Sequence, residues 1–188
     1  MSDLAGKTVA GYPIEKLLAK GKVRHIGCSN LDAGQLRAAL DVASLRSLPR
    51  YEVLQPEYNL YDRSSFDGPL RDLCVAEDIG VITYFSLAKG FLSGKYRGEA
   101  DLGQSPRGGG VKDYLNARGM RILAALDAVS ARHSAKQAEV ALAWVIARPG
   151  VTAPIASATK PDQMDSLIKA ASLKLTADDM AELDKASG

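Results

Sequence analysis

Cysteine, histidine and aromatic residues are scarce in this chain, and neither sign of charge dominates. Two cysteines, Cys28 and Cys74, make no disulfide framework, so a reducing, cytoplasmic setting is expected. They and two histidines, His25 and His133, lack the spacing of zinc ligands, and no metal is expected. Lys and Arg number 24 against 22 for Asp and Glu, a net charge of +2 that offers no footprint for nucleic acid. No run reaches the roughly 20 apolar residues of a membrane span. The apolar stretch 138–147 is interrupted by Glu139 and ended by Arg148, so it reads as a core helix. The opening MSDLAGKTVAGYP has no basic segment followed by an apolar one, and no signal peptide is expected. At 188 residues the chain falls short of the about 250 typical of a closed eight-stranded α/β barrel. It can still bury roughly 70% of its unfolded surface.

What is there alternates short β-branched runs with longer helical ones. Strands are expected at 23–28, 51–55, 81–84 and 151–156, the last with Pro154 inside it, which requires a missing ladder bond or a bulge. Helices are expected at 32–45, from about 70 to 77, from about 116 to 132, from Ser134 to Pro149, at 161–171, and after Thr176. Asp32 with Gln35, Ser134 with Gln137 and Thr176 with Asp179 have capping-box spacing, although Asn30 is a rival cap for the first helix. A loop rich in Gly, Pro and charge occupies about 94–116 and contains SPRGGG at 105–110, the composition of a lid or binding loop. The order β-α-β-α-β-loop-α-α-β-α-α implies parallel strands with helical crossovers, either half of an eight-unit barrel or an open α/β sheet. No G-x-G-x-x-G, P-loop, H-E-x-x-H or G-x-S-x-G pattern occurs.

Ligands of parallel α/β folds meet the carboxyl ends of the strands. Those ends carry Ser29 and Asn30, then Gln55 with Tyr58 and Asn59, then Tyr84, Phe85 and Ser86, then Ser157, Thr159 and Lys160. Amide side chains both donate and accept, a tyrosine ring stacks on flat rings, and a lysine before a helix start favours an anion. Each has a plainer role available. Ser29 and Asn30 suit a helix cap, Tyr84 a core position, Lys160 a solvated surface, Gln55 a loop carbonyl, and Tyr58 and Tyr61 packing. Cys28, Cys74 and His25 read as structural residues, and His133 as a partner for a helix dipole. Asp62, Asp67, Asp72, Glu77 and Asp78 form no pair that sequence establishes.

Five ordered motifs carry a stronger signal: GKVRHIGCSN at 21–30, QPEYN at 55–59, GVITYFSLAKGFLSGKY at 80–96, ALAWV at 141–145 and PIASATKPDQ at 154–163. Together they resemble the aldo-keto reductase family. The resemblance implies an α/β chain that is part of a (β/α)8 TIM barrel, strands five to eight with their helices and a C-terminal helix. It places this half barrel over 21–188, after an irregular or shortened helical lead-in at 1–20. It implies an oxidoreductase that reduces aldehydes or ketones with NADP(H). By position, Ser29, Asn30 and Gln55 would hold the nicotinamide carboxamide, and Tyr84 would stack on its ring. Leu87, Lys89 and Gly90 would line the pyrophosphate passage, and Ser157, Thr159, Lys160 and Gln163 would meet the adenosine end and its 2′-phosphate. The family often has Gly where Ser157 stands, Pro where Ser86 stands and Asn where Leu167 stands.

The family's catalytic Asp, Tyr, Lys and His lie in its first four strands, and the match begins just before the fifth. Tyr58, His25 and Lys22 match other elements, so no catalytic residue is assigned. The expectation is a chain that binds nicotinamide nucleotide, with small carbonyl compounds as substrates, but is inactive alone and self-associates through open half-barrel edges. The alternatives are a non-catalytic nucleotide-binding or interaction protein, a truncated gene product without function, and a half barrel that recruits new catalytic groups.

Overall fold

A computed structural model describes residues 8–9, 12–104 and 108–188. Residues 1–7 and 10–11 of the expected lead-in, and Ser105, Pro106 and Arg107 of the glycine-rich loop, lie outside the described residues. A two-stranded antiparallel ribbon, β1 (Thr8–Val9) and β2 (Tyr12–Pro13), leads into the short helix α1 (Ile14–Ala19). The main sheet has four parallel strands in the order of the chain: β3 (Gly27–Ser29), β4 (Val53–Gln55), β5 (Gly80–Thr83) and β6 (Ala153–Pro154). Gly27 to Ser29 pair with Val53 to Gln55, Val53 pairs with Gly80, and Ile82 with Ala153.

Between the strands run α2 (Ala33–Leu45), α3 (Pro69–Ala76), α4 (Ala117–His133) and α5 (Gln137–Ile146), with α6 (Pro161–Ser172) and α7 (Ala177–Ser187) after β6. The four strands, each followed by helix, make the half of a (β/α)8 barrel that the element order implies.

The strand alternation decides where the core sits. Leu54, Val81 and Thr83 are buried, and Leu54 and Val81 join one apolar cluster with Leu36 and Leu40 of α2, Leu70 and Leu73 of α3 and Val140 of α5. The intervening Val53, Gln55 and Ile82 are half-buried. The helices therefore cover one face of the sheet and leave the other open. α5 carries Trp144 in its last turn, fully buried and stacked on Tyr58 at 5.6 Å between ring centroids. Its interrupting Glu139 is buried with partners: the Lys136 N–H donates to it at 3.0 Å and the Ser166 hydroxyl at 2.7 Å. Among the described residues no helix is long and apolar enough to cross a membrane.

Local differences from the sequence reading have local causes. The strand expected at 23–28 begins only at Gly27, where its pairing with β4 starts, with one further bond from Glu52 N to Ile26 O at 2.9 Å. The Pro154 irregularity takes a definite form. Thr152 N donates to Val81 O at 2.8 Å, and the next bond comes not from residue 154 but from Ile155 N to Thr83 O at 2.7 Å, a one-residue bulge. The capping boxes Asp32–Gln35 and Thr176–Asp179 form as expected. Ser134 does not cap α5. It takes a left-handed conformation (φ 49°) that ends α4, and Gln137 donates its amide to Asp127. The loop 94–116 is partly structured. Short 3-10 segments span Glu99–Gln104 and Gly108–Tyr114, and the second buries Val111 and Tyr114.

Candidate functional site

Three strand ends lie together at the carboxyl end of the sheet. β3 ends at Ser29, and Asn30 follows with φ 56°, a left-handed turn that asparagine tolerates better than most residues. The Ser29 hydroxyl donates to the Gln55 carbonyl at 2.7 Å, tying the β3 end to the β4 end. The Tyr84 hydroxyl donates to the Asn30 side-chain oxygen at 2.9 Å, tying in the β5 end. Tyr84 is itself fixed by its backbone: its N–H donates to Pro56 O at 3.0 Å and its carbonyl accepts from Tyr58 N at 3.3 Å. Ser29 and Asn30 are exposed, and Gln55 and Tyr84 half-buried, so the cluster opens to solvent.

After β5 the backbone is strained. Phe85 (φ 50°), Ala88 (φ 48°), Lys89 (φ 57°) and Gly90 (φ 101°) all sit in the left-handed region, where three of the four carry a Cβ. Such conformations cost of order 1–3 kcal/mol each and persist where the surroundings over-determine them. Here the surroundings are identifiable. Ser86 is buried and its hydroxyl lies 3.0 Å from that of Thr83, and the buried Asn59 amide donates to Phe85 O at 3.1 Å. Leu87, Lys89 and Gly90 are half-buried along this turn. The Lys89 ammonium stands 5.5 Å from the Phe85 ring centroid and 6.0 Å from that of Tyr114.

Tyr114 contributes to this turn from within the glycine-rich loop. Its ring stacks on Phe91 at 5.4 Å and its hydroxyl donates to Asp62 at 2.9 Å. Burial, with Asp62 beside it, pushes the Tyr114 phenol above its ordinary range. Burial also raises the Glu57 carboxyl, Asp62 adds to that, and Lys89 opposes it. An aromatic residue closing a glycine-rich segment just before a helix was the available signal. At that helix start, a Cβ on Gly119 would collide with the Tyr114 carbonyl oxygen, so only glycine fits.

The fourth strand end gathers Ser157, Thr159 and Lys160, all exposed, at the start of α6. The Thr159 N–H and hydroxyl donate to the Gln163 side-chain oxygen at 2.7 and 3.2 Å. Lys160 occupies the N-cap position in an extended conformation (φ −141°). The helix start and the lysine together present positive charge at one turn.

The remaining candidates lie elsewhere. His25 pairs with Glu52 at 2.6 Å, before the start of β4 and away from the strand ends. His133 meets Asp179 at 2.7 Å, a carboxylate 46 residues on rather than a bare helix dipole. Tyr58 is core, its hydroxyl donating to Asp67 at 2.8 Å. Burial pushes the Cys28 and Cys74 thiols up to about 11, which leaves little thiolate at neutral pH. Among the described residues no three His, Cys, Asp or Glu side chains form a metal-binding group.

The model of the Aldo/keto reductase family matches residues 12–187. Among curated proteins, the chain is 31% identical over 170 residues to Protein tas of Escherichia coli (strain K12), covering 87% of this chain and 48% of that one. It is 27% identical over 179 residues to Probable aldo-keto reductase 1 of Glycine max, covering 92% and 49%. It is 25% identical over 171 residues to Aldo-keto reductase AMT2 of Alternaria alternata, covering 91% and 46%. The chain thus spans about half the length of the curated relatives it matches.

Proposed function

The chain belongs to the aldo/keto reductase family, and from that premise we propose that it supplies the nucleotide-holding half of an NADP(H)-dependent carbonyl reductase site. The family is one of oxidoreductases that use nicotinamide nucleotides on carbonyl substrates. The observation that carries the reading for this chain is the convergence at the strand ends. Asn30, Gln55 and Tyr84 combine an amide pair with a half-buried ring, and Tyr84 is fixed to Asn30 at 2.9 Å.

The donor set fits the group. Amide side chains match both the oxygen and the nitrogen of a carboxamide. The Tyr84 ring offers a face for an aromatic base. The turn of Leu87, Lys89 and Gly90, left-handed at the last two, offers backbone and an ammonium that suit a diphosphate. Lys160 and the α6 start suit a phosphate monoester, with Ser157, Thr159 and Gln163 around it. Gln163 would exchange its bond with Thr159 for one to the nucleotide. NADPH, when bound, supplies the hydride. The residues present hold and orient it, and Ser29 contributes by fixing the Gln55 backbone.

No residue among the described ones matches the family's proton donor, so the chain by itself is expected to bind nucleotide without turning over carbonyl compounds. Free Cys28 and Cys74 accord with a reducing, cytoplasmic setting. Titration of the purified chain with NADPH, followed by nucleotide fluorescence, tests the reading. Saturable binding, weakened about tenfold by Lys160→Ala, is expected, equal to ~1.4 kcal/mol of phosphate contact. Absence of saturable binding removes the site. Steady carbonyl reduction by homogeneous protein overturns the inactivity.

A further inference from the structure

The Lys89 ammonium, in the turn after β5, is an unspent charge. The residue is half-buried, and among the described residues no carboxylate pairs with it. Opposite charge is nevertheless close. Burial and Asp62 raise the half-buried Glu57 carboxyl, and Lys89 pulls it down without an ion pair between them. Lys112, on the neighbouring 3-10 segment, shows the ordinary outcome: its ammonium pairs with Glu99 at 3.3 Å. A flexible lysine stem reaches such a partner unless something holds it elsewhere.

Two aromatic rings hold it. The ammonium lies 5.5 Å from the Phe85 ring centroid and 6.0 Å from that of Tyr114, the range of cation–π attraction. Its stem is walled by Gly110, where an added Cβ would lie 3.5 Å from the Lys89 Cδ. The Tyr114 ring is itself fixed, stacked on the buried Phe91 and met edge-on by Tyr61 at 4.8 Å. Its hydroxyl and the Asn59 amide both donate to one Asp62 oxygen, at 2.9 and 3.0 Å, so neutral donors occupy that oxygen. Phe85 is the less expected residue. It is 42% exposed, so burial rewards it little, and it sits at φ 50°, where a bulky side chain is an outlier. Strain with so little burial marks a residue kept for a contact.

We propose that Phe85 and Tyr114 are positioning residues: their rings hold the Lys89 ammonium away from Glu57 and Asp62, and so keep it free for the diphosphate of the nucleotide, on the reading proposed above. An ammonium paired with a carboxylate has to give up that pair before it meets an anion, and the carboxylate then repels the anion. A ring face attracts the cation more weakly and brings no net charge to the site. The two rings thus set a weak partner where a strong one is at hand, and a diphosphate displaces the weak one.

Carbon NMR of the Glu57 carboxyl and titration with NADPH, both on the purified full chain, test this. Phe85 is exposed, so Phe85→Leu should leave the circular dichroism spectrum unchanged. With the ring gone, Lys89 relaxes toward Glu57. The Glu57 carboxyl should therefore titrate at lower pH in Phe85→Leu, and at higher pH in Lys89→Met, which removes the opposing charge. Phe85→Leu should weaken NADPH binding about threefold to fivefold, and Lys89→Met about tenfold. The double variant should bind no more weakly than Lys89→Met alone, and Phe85→Tyr should keep the full affinity. A Glu57 titration unmoved by Phe85→Leu overturns the inference. So does an NADPH affinity indifferent to Phe85→Leu, or losses that add in the double variant. Those three outcomes leave the nucleotide reading standing. Absence of saturable NADPH binding by the unaltered chain removes that reading and the inference with it.

Discussion

The helix-covered face of the sheet and its strand ends use charged and strained groups to opposite purposes. On the helix-covered face, polar groups are consumed by one another. Asp184 accepts from Trp144 at 3.1 Å, Arg63 at 3.0 Å and Arg148 at 3.0 Å, and Arg63 also bonds Asp67 at 2.9 Å. This ties α7 to α5 and to the loop after β4 with few lone pairs to spare. At the strand ends the side chains are exposed or half-buried and keep donors and acceptors for a ligand. Left-handed backbone draws the same distinction. Ser47, Asp78 and Ser134 (φ 53°, 52° and 49°) follow the ends of α2, α3 and α4, where such a residue terminates a helix. Asn30, Phe85, Ala88 and Lys89 follow strands, where no helix end requires it. Stability is thus concentrated on the helix-covered face and capacity for binding at the strand ends.

The comparison breaks most directly at Trp144. The side chain is fully buried, stacked on Tyr58, faced by Arg63 and Arg148 at 5.2 and 4.9 Å, and bonded to Asp184. Trp144→Ala should cost about 3–5 kcal/mol, read as a lowered urea midpoint. Nucleotide affinity of the fraction still folded should be unchanged. A specific loss of affinity at preserved stability would show that the covered face and the strand ends are not separate.

Acid sharpens the comparison through Asp179, which ties the start of α7 to the end of α4. Burial favours the neutral form of Asp179, but bonds from His133, Thr176 and Arg132 overcome this and hold its carboxyl well below the usual range. A carboxylate with a depressed folded pKa adds stability that is fully present above its unfolded value, about 3.9, and is lost as pH falls below it toward the folded value. Asp179→Asn should therefore cost about 1–3 kcal/mol near pH 7 and progressively less below about pH 4. Urea midpoints across that range check it. A cost independent of pH would mean that the amide fails for reasons other than charge.

What could be read from sequence followed the range of each interaction. Asp32 with Gln35 and Thr176 with Asp179 act within one turn, and both capping boxes are visible in residue type and spacing. Pro154 announced a ladder irregularity because a missing N–H is a covalent fact. The polar strand ends were legible because parallel topology points them the same way; their gathering by Tyr84 and Asn30, 54 residues apart, was not. Nor was the spending of Ser29 on a backbone carbonyl or of Gln163 on Thr159. Ser134 misled because a serine suits both an N-cap and the left-handed end of the preceding helix, and three residues separate the two roles. Tyr114 and Val111 were hidden by the glycines around them, whose composition says loop while the two side chains are core.

The smallest effect tests the strand ends themselves. The Tyr84 hydroxyl makes one bond, to Asn30 at 2.9 Å, and Asn30 is exposed, so water replaces the hydroxyl once it is removed. Tyr84→Phe should change stability by no more than about 0.5 kcal/mol, the range of surface substitutions. It keeps the ring, which contacts Phe85 edge-on at 5.2 Å, and so should alter NADPH affinity by less than about threefold. Tyr84→Ala removes the stacking surface and should weaken binding about tenfold, with thermal unfolding as the control for folding. The pair of variants separates ring from hydroxyl. If the phenylalanine variant loses as much stability as a buried hydrogen bond is worth, about 1 kcal/mol or more, the Tyr84–Asn30 contact supports the fold as the Asp184 network does. The strand ends would then share the structural burden of the covered face.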